Sequence, residues 1–318
     1  GADAMKKFAM LGKWHVHAPG YAKELNSLPG CQVAAVWDPD QAIAEKWAAE
    51  LGCAARTLDE ILADPDIEGV AICCATNEHP DLLLRACAAG KAVFTEKVLT
   101  LREADAQAVR QAVLRHHTRF AISFPHLSEP AVRFALEKAQ SGALGTLNFV
   151  RVRKAHNGAT AGWLPPHFYD PIACGGGAMI DLGAHPVYLA CALLGEPLRA
   201  HAAFTQATGK GVEDNAVGVL EFAGGALGVA ETSFVSSAYP FLLEAGGDRG
   251  TLLLQGGKVS YCCPETGDAW QEAALPQALP SPLAQWALAT RPDEIPAGFG
   301  IDAAVRLTRA MEMLYAAQ

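Results

Sequence analysis

The chain has 318 residues, which is too long for one hydrophobic core of ordinary size and favours two domains. Hydrophobic residues make up 51% of the sequence and charged residues 19%, a globular composition that excludes intrinsic disorder. The formal net charge of −9 argues against a nucleic-acid partner, although backbone amides and helix N-termini can still bind a small anionic cofactor.

The cysteines and the apolar runs bear on the cellular compartment. Nine cysteines, an odd number, include no C-x-x-C pair, so we expect neither a disulfide framework nor a zinc site. No apolar run is long enough to span a bilayer, so we expect no membrane partner. Residues 1–4, before Met5, carry no signal-peptide pattern. Together these features predict a cytoplasmic protein.

Over residues 5–125, short apolar runs alternate with amphipathic helical stretches. The predicted strands are 8–11, 32–37, 70–75, 92–95 and 120–124. The predicted helices are a stretch ending at 28, then 41–51, 80–89 and 103–116. In the second helix, Ile43, Trp47 and Leu51 are four residues apart and are expected on one buried face. This alternation predicts a first domain with a parallel, doubly wound Rossmann sheet.

The pattern changes over residues 126–318. Strands are predicted at 147–152, 216–222, 227–234, 241–245 and 251–254, with a hairpin at Gly224-Gly225. A long helix is predicted over 177–194 and a final one over 301–316, with a Pro-rich connector at 276–282. One stripe of the final helix is apolar and comprises Ala304, Leu307, Met311 and Leu314. We expect an α+β domain with a large, open, mostly antiparallel sheet.

The first predicted strand-to-helix turn is the place for a phosphate-binding fingerprint. It reads Gly12-Lys13-Trp14-His15-Val16-His17 and keeps only the first glycine of the G-x-G-x-x-G pattern. An ordinary turn therefore stays an equal alternative. If a dinucleotide binds, Trp14 is expected to displace the diphosphate outward, toward a helix N-terminus near His15, with Lys13 and His15 adding contacts. The rival hypothesis is that Trp14 blocks the site.

Asp38 ends the second predicted strand, where an acidic side chain accepts hydrogen bonds from the adenosine ribose. A 2′-phosphate would meet this carboxylate with no arginine beside it, so NAD is expected in preference to NADP. The alternative is that Asp38-Pro39 only begins a turn and caps the next helix.

Glu96 and Lys97 follow the strand 92–95, at the sheet edge where open α/β sheets bind ligands. Lys97 could orient substrate hydroxyls and join a proton relay, because the pKa of a partly buried lysine is tunable. A solvated ion pair is the alternative.

The run from Gly175 to His185 begins with three glycines and leads into the long predicted helix. Asp181 and His185 are four residues apart and are expected on one helical face. His185 could take the proton of a substrate hydroxyl, with Asp181 orienting the imidazole or binding the substrate. A simple surface contact is an alternative, and two ligands are too few to argue for a metal.

Several runs together resemble the Gfo/Idh/MocA oxidoreductase family, and the resemblance covers almost the whole chain. His79 with GKAVFTEKVLT (90–100) is similar to that family's H…AGKHVxxEKP block. The run GGGAMIDLGAHPVYLACALLGEP (175–197) is similar to its GGGxxxDxGxH signature, and EDNAVGVLEF (213–222) and GDRGTLLL (247–254) are similar to its later strands.

The resemblance implies hydride transfer between NAD(P) and a sugar, polyol or related hydroxy compound. It also implies three sets of site residues: catalytic Lys97, Asp181 and His185; cofactor-facing Gly12, Asp38, Glu96 and Lys97; and Thr76, Asn77 and His79 on the nicotinamide side. In the loop before Gly175, the candidates for substrate contact are His156, His167 and Tyr169.

The sequence departs from the family pattern at several site positions. Trp14 and His17 replace glycines, Val98 replaces the proline of the Glu-Lys-Pro motif, and Tyr188 stands where many members carry an acid. The usual arginine after the sixth strand is absent, and that stretch reads Phe124-Pro125-His126.

Two other functions stay open. The family's glycosidase-like branch uses bound NAD transiently to cleave a glycosidic bond. A non-catalytic protein that senses a dinucleotide or a sugar would keep the fold with a degenerate site; Trp14 favours it, whereas intact Lys97, Asp181 and His185 argue against it. In all cases, helices are expected to cover only one face of the second sheet. The other face is expected to be large and apolar, so a homodimer or homotetramer is predicted.

Overall fold

The computed structural model describes residues 4–318, so Gly1–Asp3 of the segment before Met5 lie outside the described residues. The chain divides into two compact units. The first unit comprises Gly1–Ser123 and Pro280–Val305, and the second comprises Phe124–Leu279 and Arg306–Gln318.

Within residues 4–318, the first unit contains a six-stranded sheet of order β3-β2-β1-β4-β5-β6, and every neighbouring pair is parallel. This confirms the predicted doubly wound Rossmann architecture. Its elements in chain order are β1 (Lys6–Leu11), α1 (Ala18–Ser27), β2 (Cys31–Trp37), α2 (Gln41–Leu51), β3 (Ala54–Ala55), α3 (Leu58–Ala63), β4 (Ile67–Ile72), α4 (His79–Ala88), β5 (Ala92–Thr95), α5 (Glu103–His116) and β6 (Phe120–Ile122).

Helix α2 has the predicted bounds but buries a different face. Ala44, Trp47 and Ala48 are buried, whereas Ile43 is 42% exposed. The predicted face of Ile43, Trp47 and Leu51 was therefore wrong. Trp47 belongs to both sets, and the small alanines beside it let the helix pack closely against the sheet, as the larger Ile43 and Leu51 would not.

Eight strands of the described chain form the sheet of the second unit, in the order β14-β13-β12-β11-β7-β10-β9-β8. Neighbouring pairs are antiparallel except β10 with β7, which confirms the mostly antiparallel prediction. The elements are α6 (Pro130–Gln140), β7 (Leu147–Ala155), α7 (Gly158–Ala161), α8 (Pro171–Cys174), α9 (Ala178–Asp181), α10 (Ala184–Leu194), β8 (Pro197–Thr205), β9 (Asn215–Phe222), β10 (Leu227–Ser233), β11 (Leu242–Gly247), β12 (Thr251–Gln255), β13 (Lys258–Cys262) and β14 (Gln271–Glu272).

The long helix predicted over 177–194 is broken between α9 and α10, and the segments Pro171–Asp181 and Ala184–Leu194 differ in direction by 57°. Gly183 stands at the break, where a Cβ would lie only 2.5 Å from the Met179 carbonyl oxygen. Asp181 therefore ends one helix and His185 lies in the first turn of the next, so the expected single helical face was wrong. Among the described residues no single helix is long and apolar enough to cross a membrane, although this bent pair passes the same test of length and composition.

The segment Pro280–Val305 packs with the first unit, although the sequence analysis placed it in the second domain. It contains α11 (Pro282–Leu288), whose Trp286 indole N–H donates to the Arg119 carbonyl oxygen at 3.0 Å. The Trp286 ring lies 5.1 Å from the Phe8 ring and 5.7 Å from the Phe94 ring. Helix α12 (Ile301–Ala317) follows, and the apolar stripe predicted for it is buried, as expected.

Candidate active site

Gly12 forms the turn that follows β1. Its φ is +90°, and a Cβ at this position would lie 2.3 Å from the Cys74 sulfur. The Gly12 N–H donates to the Trp37 carbonyl oxygen at 2.7 Å. Only glycine fits this backbone conformation and this close approach, so the one fingerprint glycine in the sequence is required by the local structure.

The rest of the turn differs from the expectation, because α1 begins at Ala18 rather than near His15. The His15 N–H donates instead to the Cys73 carbonyl oxygen at 3.0 Å, so it is not among the open amides of a helix N-terminus. The Trp14 ring is half-buried and lies 6.2 Å from the His15 ring. The predicted helix N-terminus near His15 was therefore wrong.

Asp38 is held at the end of β2 by two backbone groups. One carboxylate oxygen accepts the Lys13 N–H at 2.9 Å, and the other accepts the Asp40 N–H at 2.8 Å. Each oxygen keeps a further acceptor site for a ribose hydroxyl. No arginine was expected beside Asp38, and Arg56 lines the same pocket, where its guanidinium pairs with Asp64.

Glu96, directly after β5, is the centre of a buried cluster that the sequence analysis did not anticipate. One of its carboxylate oxygens bonds to the Tyr21 hydroxyl and to Nδ1 of His17, which is 3.1 Å away. The other accepts the Lys97 N–H at 3.0 Å and lies 3.7 Å from Nε2 of His15. Burial alone would raise the pKa of the Glu96 carboxyl, but His15, His17 and Lys97 hold that pKa far below its ordinary value. Glu96 therefore acts as a fixed anion that positions the turn.

The side chains of His15, His17 and Glu96 offer three ligand atoms within 4.8 Å of one another, the spacing of a metal site. However, Nδ1 of His15 accepts the His17 N–H at 3.2 Å, so the ring proton of a neutral His15 is on Nε2, which faces Glu96. If Nε2 of an imidazole binds a metal, its ring proton is on Nδ1, and Nδ1 then donates a hydrogen bond. The arrangement is therefore that of a hydrogen-bonded cluster.

The residues predicted on the nicotinamide side differ in exposure. Asn77 is exposed and Thr76 is buried, both in a short turn just before α4. His79 is 1% exposed, and its Nδ1 donates to the carbonyl oxygens of Val98 and Leu99, each 3.0 Å away. The His79 side chain therefore holds the loop that follows Lys97. Lys97 is itself buried.

In the second unit, the triple glycine is held by Glu213, a residue the sequence analysis did not single out. Its carboxylate accepts the Gly177 N–H at 2.8 Å and the Tyr315 hydroxyl at 2.8 Å. A Cβ on Gly177 would lie 2.2 Å from the Glu213 carbonyl oxygen, and a Cβ on Gly176 would lie 2.2 Å from the Tyr315 hydroxyl. Glycine is therefore required here by close packing, and the packing sets where α9 begins.

His185 is 3% exposed at the start of α10, and its Nδ1 lies 3.2 Å from the Tyr188 hydroxyl. Tyr188 also accepts the His126 N–H at 3.2 Å and stacks on Phe124 at 4.0 Å. The His126 ring lies 4.9 Å from the His185 ring, in an edge-to-face arrangement. Lys154 Nζ bonds to Nε2 of His126 at 2.9 Å. Two of the residues named as departures from the family pattern, Tyr188 and His126, thus contact the candidate base.

The other candidates in this unit lie around Asp181 and the loop before Gly175. His156 stacks on Phe234 at 5.1 Å, and burial lowers the pKa of its imidazole, with Asp181 and Lys154 acting on it in opposite directions. Tyr169 lies under the Lys210 ammonium at 4.7 Å, and burial raises the pKa of its phenol. The carbonyl oxygen of His167 accepts a bond from the Cys174 thiol at 3.3 Å, and the His167 ring is half-buried.

Comparison with known families assigns both units. Residues 6–124 match the oxidoreductase family with an NAD-binding Rossmann fold, and residues 132–253 match the GFO/IDH/MocA C-terminal domain. The chain belongs to the Gfo/Idh/MocA family.

Several known proteins are similar to this chain over most of its length. Inositol 2-dehydrogenase of Rhizobium meliloti (strain 1021) is 28% identical, over 85% of this chain and 81% of that protein. The scyllo-inositol 2-dehydrogenase (NAD(+)) of Bacillus subtilis (strain 168) is 29% identical, over 77% of this chain and 70% of that protein. The crystal structure of GenD2 from gentamicin A biosynthesis in complex with NAD superposes with a TM-score of 0.82 at 25% identity, covering 100% of this chain and 95% of that one.

This Gfo/Idh/MocA member is therefore an NAD-dependent oxidoreductase, and the first unit fits its cofactor. The turn at Gly12 packs closely against Cys74, and backbone N–H groups fix the Asp38 carboxylate after the second strand, where Rossmann folds recognise a ribose. Gly12, Lys13 and Trp14 in the turn, together with Asp38, are the residues that would hold the dinucleotide.

Proposed function

We propose that this chain transfers a hydride between NAD and a hydroxyl-bearing carbon of a sugar, a polyol or a related compound. The observation that carries the proposal is the match of both units to one oxidoreductase family. Relatives named as inositol dehydrogenases support a polyol or a sugar as the substrate class. When bound, NAD supplies the hydride acceptor, and the protein supplies orientation and proton transfer.

His185 is proposed as the acid–base residue. It is buried, and the contact of its Nδ1 with the Tyr188 hydroxyl fixes the orientation of the ring. In the oxidation direction, Nε2 would take the proton of the substrate hydroxyl as the carbonyl forms, and it would return that proton in reduction.

Lys97 and Asp181 are proposed to assist. Lys97 follows the fixed carboxylate of Glu96, and its ammonium would orient the reacting hydroxyl and stabilise negative charge on its oxygen. Asp181 would bind a substrate hydroxyl, because a carboxylate accepts hydrogen bonds from such groups. His156, His167 and Tyr169 are proposed to contact the substrate; for His156, its electrostatic interaction with Asp181 supports this role.

A dehydrogenase screen tests the proposal. Sugars, polyols and their acids are incubated with NAD or NADP, and reduced nicotinamide is followed by absorbance. We expect net NADH formation with at least one member of these classes. Bond cleavage without net NADH would instead indicate transient use of the cofactor, and NAD binding without turnover of any substrate would indicate a sensing protein.

We also propose a cytoplasmic homodimer or homotetramer that associates through the outer sheet face of the second unit. This face was expected to be apolar, but it carries both apolar and charged side chains. Phe149, Val217 and Leu253 are exposed on it, beside a buried Glu231 that pairs with Arg151 and Arg153. Matched apolar and charged groups suit a closed, self-complementary contact. The molar mass measured by light scattering at micromolar concentration should exceed the 33.5 kDa of the monomer. A measured mass equal to that of the monomer would contradict the proposal.

A further inference from the structure

A pocket of about 340 Å³ in the first unit is lined by the residues that follow β2 and β3. Asp38, Arg56 and Glu60 are among its lining side chains. Open α/β sheets bind ligands at the carboxyl ends of their strands, and the acid after the second strand recognises the adenosine ribose. The pocket is therefore where the identity of the ribose 2′-substituent is read.

Arg56 reaches this pocket through strand pairing. In the parallel pair of β2 and β3, Val36 is opposite Ala55, and the Arg56 N–H donates to the Val36 carbonyl oxygen at 3.0 Å. Arg56 is thereby placed beside Asp38. A guanidinium binds phosphate through paired donors, and an arginine near this position accommodates the 2′-phosphate of NADP in other Rossmann enzymes.

In this chain, that guanidinium is held by Glu60 of α3 and by Asp64, which directly follows α3. Nη1 of Arg56 donates to Asp64 at 2.6 Å, and Nε lies 3.9 Å from Glu60. Both partners in the closer pair are partly shielded, with side chains 29% and 21% exposed. Its hydrogen bond with Arg56 lowers the pKa of the Asp64 carboxyl, so Asp64 stays an anion across the neutral range.

We infer that Asp64 is a cofactor-specificity residue, which keeps Arg56 from binding a 2′-phosphate while Asp38 binds the ribose hydroxyls. The inference rests on NAD binding in this pocket. Preference for NAD is then a joint property of two acids. Removing Asp64 leaves Arg56 with only its longer contact to Glu60 but keeps Asp38 to repel the phosphate, whereas removing Asp38 leaves Arg56 paired with Asp64.

The test is a double-mutant cycle on cofactor binding. Dissociation constants for NAD and NADP are measured by calorimetry for the parent, Asp38→Asn, Asp64→Asn and the double variant. We expect small gains in NADP affinity from each single change. The gain in the double variant should exceed the product of the single gains by about tenfold, because the two acids act on one arginine.

Two further variants isolate Arg56. Adding Arg56→Leu to the double variant should abolish the gain. Asp59→Asn is the matched control, because Asp59 is an acid of the neighbouring helix α3 and pairs with another arginine, Arg85, at 2.5 Å. Asn at position 64 keeps an oxygen for the Asp66 N–H, which the Asp64 carboxylate accepts at 2.8 Å, and thermal melting checks the fold.

Three results would overturn the inference. The gains in NADP affinity from the two single variants could simply multiply in the double variant, the double variant could show no gain, or its gain could survive Arg56→Leu. A parent protein that binds neither cofactor would instead overturn the proposed function. The two failures are therefore distinguishable.

Discussion

The backbone N–H of His126 donates a hydrogen bond to the Tyr188 hydroxyl, 3.2 Å away. The same hydroxyl lies 3.2 Å from Nδ1 of His185. His126 stands in the stretch that lacks the usual arginine of the Gfo/Idh/MocA pattern, and Tyr188 replaces the usual acid. The two departures are therefore coupled, and together they position the candidate base with neutral groups.

The first prediction concerns this coupling. Tyr188→Phe keeps the ring that stacks on Phe124 but removes the hydroxyl between His126 and His185. We expect kcat to fall by about three- to tenfold, the value of one neutral hydrogen bond, with KM little changed. The pH profile of kcat should shift, because the hydroxyl contacts the nitrogen opposite the proton-transfer atom.

Tyr261→Phe provides the control for Tyr188. Tyr261 is a buried tyrosine of the same unit, and its ring contacts Phe134 at 5.4 Å. This control should keep both kcat and the pH profile of the parent. Equal changes in the two variants would show that the Tyr188 hydroxyl has only a structural effect.

The second prediction concerns proton transfer. Lys97→Met and His185→Ala should each lower turnover by about a hundredfold or more, because each removes a group proposed to act on the substrate hydroxyl. Thermal melting should show that both variants fold, and calorimetry should show that His185→Ala still binds NAD. Full activity in either variant would place the site elsewhere.

The third prediction concerns Trp14. The parent should already bind NAD saturably, and Trp14→Gly should change its affinity by less than about tenfold, because the turn at Gly12 is formed without a second glycine. Calorimetric titration measures both proteins. If only the variant bound NAD, Trp14 would be a block, and a sensing or ligand-binding function would replace the enzyme.

The fourth prediction concerns the buried histidine that holds the loop after Lys97. Burial lowers the pKa of His79, so the folded protein resists its protonation, whereas the unfolded chain takes up the proton below about pH 6.5. The contribution of His79 to stability is therefore complete above that pH and is lost as the pH falls further. Melting curves from pH 8 to 5 should show a steeper loss for the parent than for His79→Gln, and identical slopes would contradict this account.

The fifth prediction concerns the triple glycine. Gly177→Ala should destabilise the protein by about 2 kcal/mol, because the added methyl group meets the Glu213 carbonyl oxygen. Gly20→Ala is the control, since its Cβ would face open space on the exposed side of α1, and it should stabilise by about 0.5 kcal/mol. Urea unfolding measures both, and a neutral Gly177→Ala would show that the loop can relax.

The sequence was informative where one local signal decides the structure. Periodicity located most strands of both sheets, and the apolar stripe of α12 proved buried as expected. The position of Glu96 and Lys97 directly after β5 also followed from the strand pattern and the sheet-edge rule.

The remaining features depend on partners far apart in sequence. His126 and Tyr188 are 62 positions apart, and no spacing rule joins them. Arg56 lies beside Asp38 because β3, only two residues long, pairs with β2, and a strand this short has no periodicity to detect. The break at Gly183 also escaped prediction, because glycine occurs within helices as well as at their ends.

The packing of Trp286 against Phe8 and Phe94 has a consequence for biosynthesis. Chains fold as they leave the ribosome, usually beginning with the N-terminal domain. Here Trp286, one of the fully buried aromatic side chains of the first unit, is synthesised long after Ser123. The core of the first unit is incomplete until then. Until then the nascent Rossmann sheet exposes the apolar surface that Trp286 will cover. A gene fragment that stops at the end of β6 would leave that surface bare permanently and should yield an aggregating product.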